Sequence, residues 1–300
     1  MTAIKKYAVL YLIIFIVITS CTSIIQVTVP DGKTQLVIDA FLDNAARPQT
    51  VRITNSSNYF SNVPCPAVLG ATVSLNDLNN AKTYTFTPDG KGNYIYTPVV
   101  GDTMGFVNHK YQLNVSYNGN IYIALSILYP TIPVDTIIFR RTRTDIGGTS
   151  PVSDTTKPRK YYPLLIARDI KGQTNYYWIK AYKNSVFYNQ PSQMNFFEDS
   201  GGAFSVDGGF IQPPNDFFGL IDNDNPYYRN DTCLLEIYSI NPNTNSFLGQ
   251  LQTQMTNSQN GLFAVTPQNV KTNIQQTSGN LPPLGWFNMA AVTSKKAVAE

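Results

Sequence analysis

The stretch "HKYQLNVSYNGNIYIALSILYP" (His109–Pro130) decides the fold class. Tyr111, Leu113, Val115 and Tyr117 are spaced two apart. In an extended strand that spacing places them on one face, because successive side chains point to opposite sides. Asn118-Gly119 follows, a dipeptide that accepts positive φ at both central positions of a type I′ turn. Ile121, Ile123, Leu125 and Ile127 then share one face of the returning strand. The segment predicts an antiparallel hairpin, and the same period of two recurs on both sides of it.

Upstream, "QLVIDAFL" (Gln35–Leu42), "TVRIT" (Thr50–Thr54) and "ATVSLND" (Ala71–Asp77) read as strands, and "NSSNYFSNVPCPAVLG" as a polar, proline-rich loop. In "KTYTFTPDGKGNYIYTP" (Lys82–Pro98), Asp89-Gly90-Lys91-Gly92 separates two alternating strands. Residues 34–130 are expected to form an Ig-like or transthyretin-like β-sandwich of about seven strands. Pro130 and Pro133 mark its end, since proline cannot donate into a central ladder.

Downstream, residues 131–294 are expected to form a second β-rich domain with long loops. "VDTIIFRR" opens it, and Thr142–Lys160 is polar, without periodicity, and reads as a surface loop. "YYPLLIARDIKGQTNYYWIKAYKN" (Tyr161–Asn184) holds two strands around a turn at Asp169–Gly172. Residues 189–231 read as long loops and "TCLLEIYSI" (Thr232–Ile240) as a strand. One helix is predicted in "NTNSFLGQLQTQMTNS" (Asn243–Ser258). There Phe247, Leu248, Leu251 and Met255 make an apolar stripe, with Asn245 or Ser246 as the cap. The end of the chain, residues 295–300, reads as a frayed tail. The fold class is therefore all-β with one short helix.

Composition agrees. Charged residues are 14% of the chain, while Tyr (19) and Phe (16) are abundant, as suits a secreted β protein rich in turns. With 22 basic and 19 acidic residues the balance gives no support for nucleic-acid binding, which wants a basic face.

The N-terminus reads as a targeting segment. Lys5 and Lys6 precede an apolar stretch from Tyr7 to Ile18, too short for the ~20 residues that span a bilayer. Ile18-Thr19-Ser20-Cys21 resembles a bacterial lipobox. The resemblance implies that residues 1–20 are removed and that Cys21 carries acyl chains, with residues 21–33 as a tether. Two or more chains hold a protein firmly, at ~0.8 kcal/mol per buried CH2. An ordinary secretory signal with an incidental Cys21, or a short membrane anchor, is the alternative. The remaining thiols, Cys65 and Cys233, either pair in an oxidising compartment or stand as separate buried thiols.

Chemistry-bearing patterns are sparse. The single histidine, His109, sits at a strand start with no nucleophile elbow elsewhere. Zinc-ligand spacing is absent, and no cofactor is expected. Glu198 with Asp199, or Glu236 with a distant aspartate, would have to supply the carboxylate pair of a glycoside hydrolase. Adjacent strand residues face opposite ways, which disfavours the first pair. "DNDNPYYRND" alternates Asp222 and Asp224 as calcium loops do, but Pro226 and Tyr227 occupy positions where an EF-hand needs a ligand and glycine. The loop aromatics Phe217, Phe218, Tyr227 and Tyr228 are candidates for partner contact.

Taken in order, "VPDGKTQLVIDAFLDN", "YFSNVPCPAVLGATVSLND", "NDTCLLEIYSI", "SFLGQLQTQM", "NGLFAVTPQNVKTNI" and "LGWFNMAAVTSKK" resemble a family of uncharacterised Bacteroidota lipoproteins, classed as a domain of unknown function. The likeness runs from Cys21 to Lys296. It implies an outer-membrane lipoprotein encoded beside TonB-dependent receptors, hence an accessory or substrate-capturing subunit rather than an enzyme. No catalytic residue carries over. The first acid after Cys21 is Asp31, so the resemblance assigns neither the cell surface nor the periplasmic face. A secreted hydrolase and a structural or adhesive surface lipoprotein are the alternatives.

Overall fold

β-Branched and aromatic residues alternating with polar ones build strands wherever one face can be buried. The computed structural model describes residues 32–58, 61, 63–99, 102, 104–140, 160–188, 190–199, 207–211, 226–257, 267–277 and 281–300. Cys21, residues 1–20 read as a targeting segment, and residues 142–159 read as a surface loop lie outside the described residues. So do Phe217, Phe218, Asp222 and Asp224. Thr34–Ser57 and Val63–Glu300 form one compact unit; the other comprises Met1–Lys33 and Asn58–Asn62, of which residues 32, 33, 58 and 61 are described.

The seven strands expected before Pro130 are present. They are β1 (Leu36–Asp43), β2 (Gln49–Asn55), β3 (Thr72–Asp77), β4 (Lys82–Pro88), β5 (Asn93–Tyr96), β6 (Lys110–Tyr117) and β7 (Asn120–Ile127). At the β6–β7 turn Asn118 and Gly119 both take positive φ, 49° and 75°, and Tyr117 pairs with Asn120. That register sets Val115 beside Tyr122 and Leu113 beside Ala124. Because β6 buries Tyr111, Leu113 and Val115, β7 must bury Tyr122, Ala124 and Ser126. The Ile121, Leu125 and Ile127 face therefore points outward.

Two further strands, β14 (Gln275–Gln276) and β15 (Leu284–Ala290), return from beyond residue 130 to complete this first sheet. Its order is β14-β7-β6-β3-β4-β5-β2-β1-β15. β15 pairs in parallel with β1, from Val37 beside Leu284 to Asp43 beside Ala290. The sheet curls until its ends nearly meet: Tyr129 bridges Ala290, and the Met289 N–H donates to Ser126 Oγ at 3.0 Å. Curling hides edges that would otherwise recruit other chains. Ile38, Val51, Leu75, Tyr84, Leu113 and Phe287 lie in the single core it encloses.

The second sheet runs β11 (Val186–Phe187), β10 (Tyr176–Lys183), β13 (Thr232–Ile240), β16 (Val292–Val298), with β12 (Asn195–Glu198) also on β10. The chain end is thus a paired strand, not the frayed tail expected, because Val292–Val298 fills the free edge of β13. Tyr177, Ile179, Leu235 and Ile237 pack towards a two-stranded layer of β8 (Val134–Arg140) and β9 (Tyr162–Ala167).

One α-helix is described, α1 (Pro242–Thr256). Its cap is Asn241, whose side chain accepts from the Thr244 N–H at 2.8 Å, rather than Asn245 or Ser246. Pro242 explains the earlier start, since proline suits the first turn, where its missing N–H costs nothing. No described helix is long and apolar enough to cross a membrane. Cys65 is exposed, Cys233 is buried, and both thiols are free, so the pairing considered above is not formed and Cys65 is not a core thiol.

Candidate functional site

β1 alternates strictly, and its two faces do different work. Leu36, Ile38, Ala40 and Leu42 enter the enclosed core. Val37, Asp39, Phe41 and Asp43 therefore point out of the curled sheet, towards the second sheet and α1. The first three of these floor a cavity of about 340 Å3. Both tryptophans of the chain line it, Trp178 from β10 and Trp286 from β15. Phe247, Leu248, Leu251 and Met255 of α1 supply another wall, so the helical stripe legible in the sequence is the part of the helix that meets the cavity.

The walls are held by rings and one polar clasp. Phe247 stacks on Trp286 with centroids 4.6 Å apart, and Phe41 meets Trp178 edge-on at 5.3 Å. Trp286 Nε1 donates to Thr244 Oγ1 at 2.9 Å, and Thr244 Oγ1 donates to Asn288 Oδ1 at 2.9 Å. The start of α1 is thereby tied to β15. Gly285 completes the floor with φ +95°; a Cβ there would lie 2.0 Å from the Ile38 carbonyl oxygen, so only glycine permits this approach of β15 to β1.

Asp39 is the one carboxylate lining the cavity. Its side chain makes no hydrogen bond or ion pair to any described residue. Asp39 stays exposed as a residue, yet the groups packed around its carboxyl partly desolvate it and raise its pKa, against the lowering fields of Lys180 and Arg52. Lys180 does not touch it; its Nζ lies 4.2 Å from the centroids of both the Trp178 and Tyr238 rings. Burial pushes the Lys180 ammonium down to about 8.

Beside the cavity, Arg47 joins the two sheets. Its Nη2 donates to Asp43 Oδ2 at 2.7 Å and its Nη1 to Glu236 Oε1 at 2.6 Å. Nη2 also donates to Tyr238 Oη at 2.6 Å. Tyr238 and Tyr182 both donate to Glu236 Oε2. Burial alone would raise the Glu236 pKa, but these hydrogen bonds and the Arg47 charge outweigh it and lower it. Glu236 thus does converge with a distant aspartate, but through an arginine that keeps it ionised; a proton donor needs the opposite bias.

The other candidates scatter. Glu198 accepts from Tyr176 Oη at 3.0 Å, whereas Asp199 accepts from the Asn175 N–H at 2.8 Å. Burial and the facing Asp169 push Asp199 up to about 6. His109 Nδ1 lies 2.9 Å from Asp77 Oδ2, near Phe106 and Tyr111, a local contact at the strand start. Tyr227 is fully buried against Phe139, so its ring is a core contact and not the partner surface expected of it. Tyr228 is 39% exposed, its N–H donating to Asp231. No cluster of three or more metal-ligating side chains occurs among the described residues.

Asp39 and Arg47 carried no signal when read along the chain. Asp39 sits in an ordinary strand and Arg47 in a turn; each gains meaning only from β10, β13 and β15, which follow far downstream. The alternation in "LVIDAFLD" (Leu36–Asp43) is the trace that was available, since it puts two carboxylates on the face opposite the core.

Residues 22–296 match the family model described as "Domain of unknown function (DUF4249)". No curated protein matches the chain. With nearly its whole length matched, the chain belongs to this domain family.

Proposed function

We propose that this member of the family is a lipid-anchored binding lipoprotein of the outer membrane, holding a small ligand on behalf of a TonB-dependent β-barrel receptor. The observation that carries the binding role is the cavity: about 340 Å3, walled by Phe41, Trp178, Phe247 and Trp286, with one carboxylate, Asp39, that pairs with no described residue. Small-molecule sites are concave and mostly apolar, about 300–1,000 Å3 in size, with a few placed polar groups.

What supports the anchor is the order Lys5-Lys6, apolar stretch, Ile18-Thr19-Ser20-Cys21. The family match begins at residue 22, directly after the cysteine. The receptor partnership rests on the resemblance to outer-membrane lipoproteins encoded beside such receptors. Carboxylate hydrolysis has less behind it, because Arg47 occupies both Asp43 and Glu236.

The test is a tagged full-length chain, extracted from its native outer membrane in mild detergent, with its companions identified by mass spectrometry. A β-barrel receptor should co-purify in near-stoichiometric amount. Recovery of the chain alone, from wild type and from a Cys21→Ser control in equal measure, overturns the reading.

A further inference from the structure

We infer that the cavity between β1, β10, β15 and α1 takes an organic ammonium: a molecule with an aromatic or aliphatic body and one cationic amine, set against the Asp39 carboxylate. This deepens the binding role proposed above and rests on it. Three observations converge. Asp39 lines the cavity with no hydrogen bond or ion pair to any described residue. Asp39 itself stays exposed to solvent; a ligand that covers it strips that water away, and a cation is the ligand group that offsets the loss. Lys180 and Arg52, the cations whose fields reach Asp39, do not pair with it. The carboxylates of Glu236 and Asp43 act on the Lys180 ammonium more strongly than Asp39 does.

The walls also favour a cation. Trp286, Phe41 and Phe247 offer ring surface within one site, while Trp178 already carries the Lys180 ammonium over its ring. A ring face attracts an ammonium, tryptophan most strongly. The indole N–H of Trp286 is already committed to Thr244, so the ring contributes an apolar surface and no spare donor. An anionic ligand would meet the Asp39 charge, with no cationic side chain among the lining residues. A sugar would find few polar groups: Asp39, Gln193 and the indole N–H of Trp178 are those of the lining, the Tyr188 hydroxyl being buried. The volume corresponds to about eleven waters at about 30 Å3 each, room for a phenylalkyl amine and too little for an oligosaccharide.

The two tryptophans give a direct readout, because the chain has no others. The full lipidated chain, reconstituted in lipid nanodiscs, is titrated at pH 7 with 4-phenylbutylamine, 4-phenylbutanol and 4-phenylbutyrate, following tryptophan emission. The amine should bind at least about tenfold tighter than the alcohol, and the carboxylate weakest. Asp39→Asn should reduce the amine-to-alcohol preference to under about twofold and leave alcohol binding unchanged. An unchanged thermal melt of that variant shows that the fold is intact. A carboxylate that binds as well as the amine, or an amine preference that survives Asp39→Asn, overturns the inference. Neither result touches receptor co-purification, so failure here and failure of the proposed function are separable.

Discussion

Replacing Arg47 with methionine removes the cation that joins two carboxylates from different sheets. Asp43 and Glu236 have side chains only 8% and 6% exposed, while Arg47 itself is 40% exposed. Breaking a buried ion pair by deleting one partner costs about 3–5 kcal/mol, because a charge is left uncompensated. Here two charges lose their partner, but the exposed side of Arg47 lets water enter. Glu236 also keeps Tyr182 and Tyr238, and Asp43 keeps Gln49 and the Ala45 N–H. We therefore expect the lower end, about 3 kcal/mol at pH 7. The assay is urea unfolding followed by tryptophan emission at pH 7 and again near pH 4.5.

The sign with pH follows from Glu236. Its folded pKa lies below the ordinary value of 4.5, so its stabilising contribution is present above that value and is lost as pH falls through the lowered one. Without Arg47 the depression is removed, protonation near pH 4.5 relieves the unpaired charge, and the gap to wild type should narrow. Glu236→Gln added to Arg47→Met should restore part of the loss. A change under about 0.5 kcal/mol, or a gap that widens on acidification, would refute the reasoning.

Three more outcomes are expected. Asn195 is 1% exposed and neither atom of its side-chain amide has a hydrogen-bond partner among the described residues, so Asn195→Leu should raise unfolding free energy by about 1 kcal/mol in the same assay; a loss instead would show the amide is satisfied. Asp199, raised to about 6, favours folding while protonated and loses that contribution as pH climbs from the unfolded value of 3.8 through 6. Asp199→Asn should thus stabilise by about 2 kcal/mol at pH 7.5 and by little at pH 4, and equal effects at both pH values would contradict the assignment. Gly285→Ala, with φ +95° and a contact of 2.0 Å to backbone, should cost at least about 3 kcal/mol and blunt the emission change on amine titration; a melt like that of wild type would count against the parallel pairing of β1 and β15.

Local signals were legible and distant ones were not. Asn118-Gly119 specified its turn because both central φ values are decided within the dipeptide. The stripe Phe247, Leu248, Leu251 and Met255 specified a helix, though Pro242 and Asn241 moved its start. The burial of β7 was harder to see, because Ile121 and Leu125 are more apolar than the Ala124 and Ser126 that are buried; register, not hydrophobicity, chose the face. The parallel pairing of Val37 with Leu284 has no short-range trace at all. The cavity shares that fate, since it draws on β1, β10, α1 and β15 at once. Tyr227, in a segment rich in turn residues, looked like a surface ring and is instead clamped beneath Phe139 and bridged to Tyr161.

Intact-mass spectrometry of the chain isolated from the membranes of its native cells tests the central claim most directly. The account predicts a polypeptide beginning at Cys21, heavier than its sequence by the mass of its acyl groups. A chain retaining Met1, or one beginning elsewhere with an unmodified Cys21 and recovered in the aqueous fraction, would contradict it.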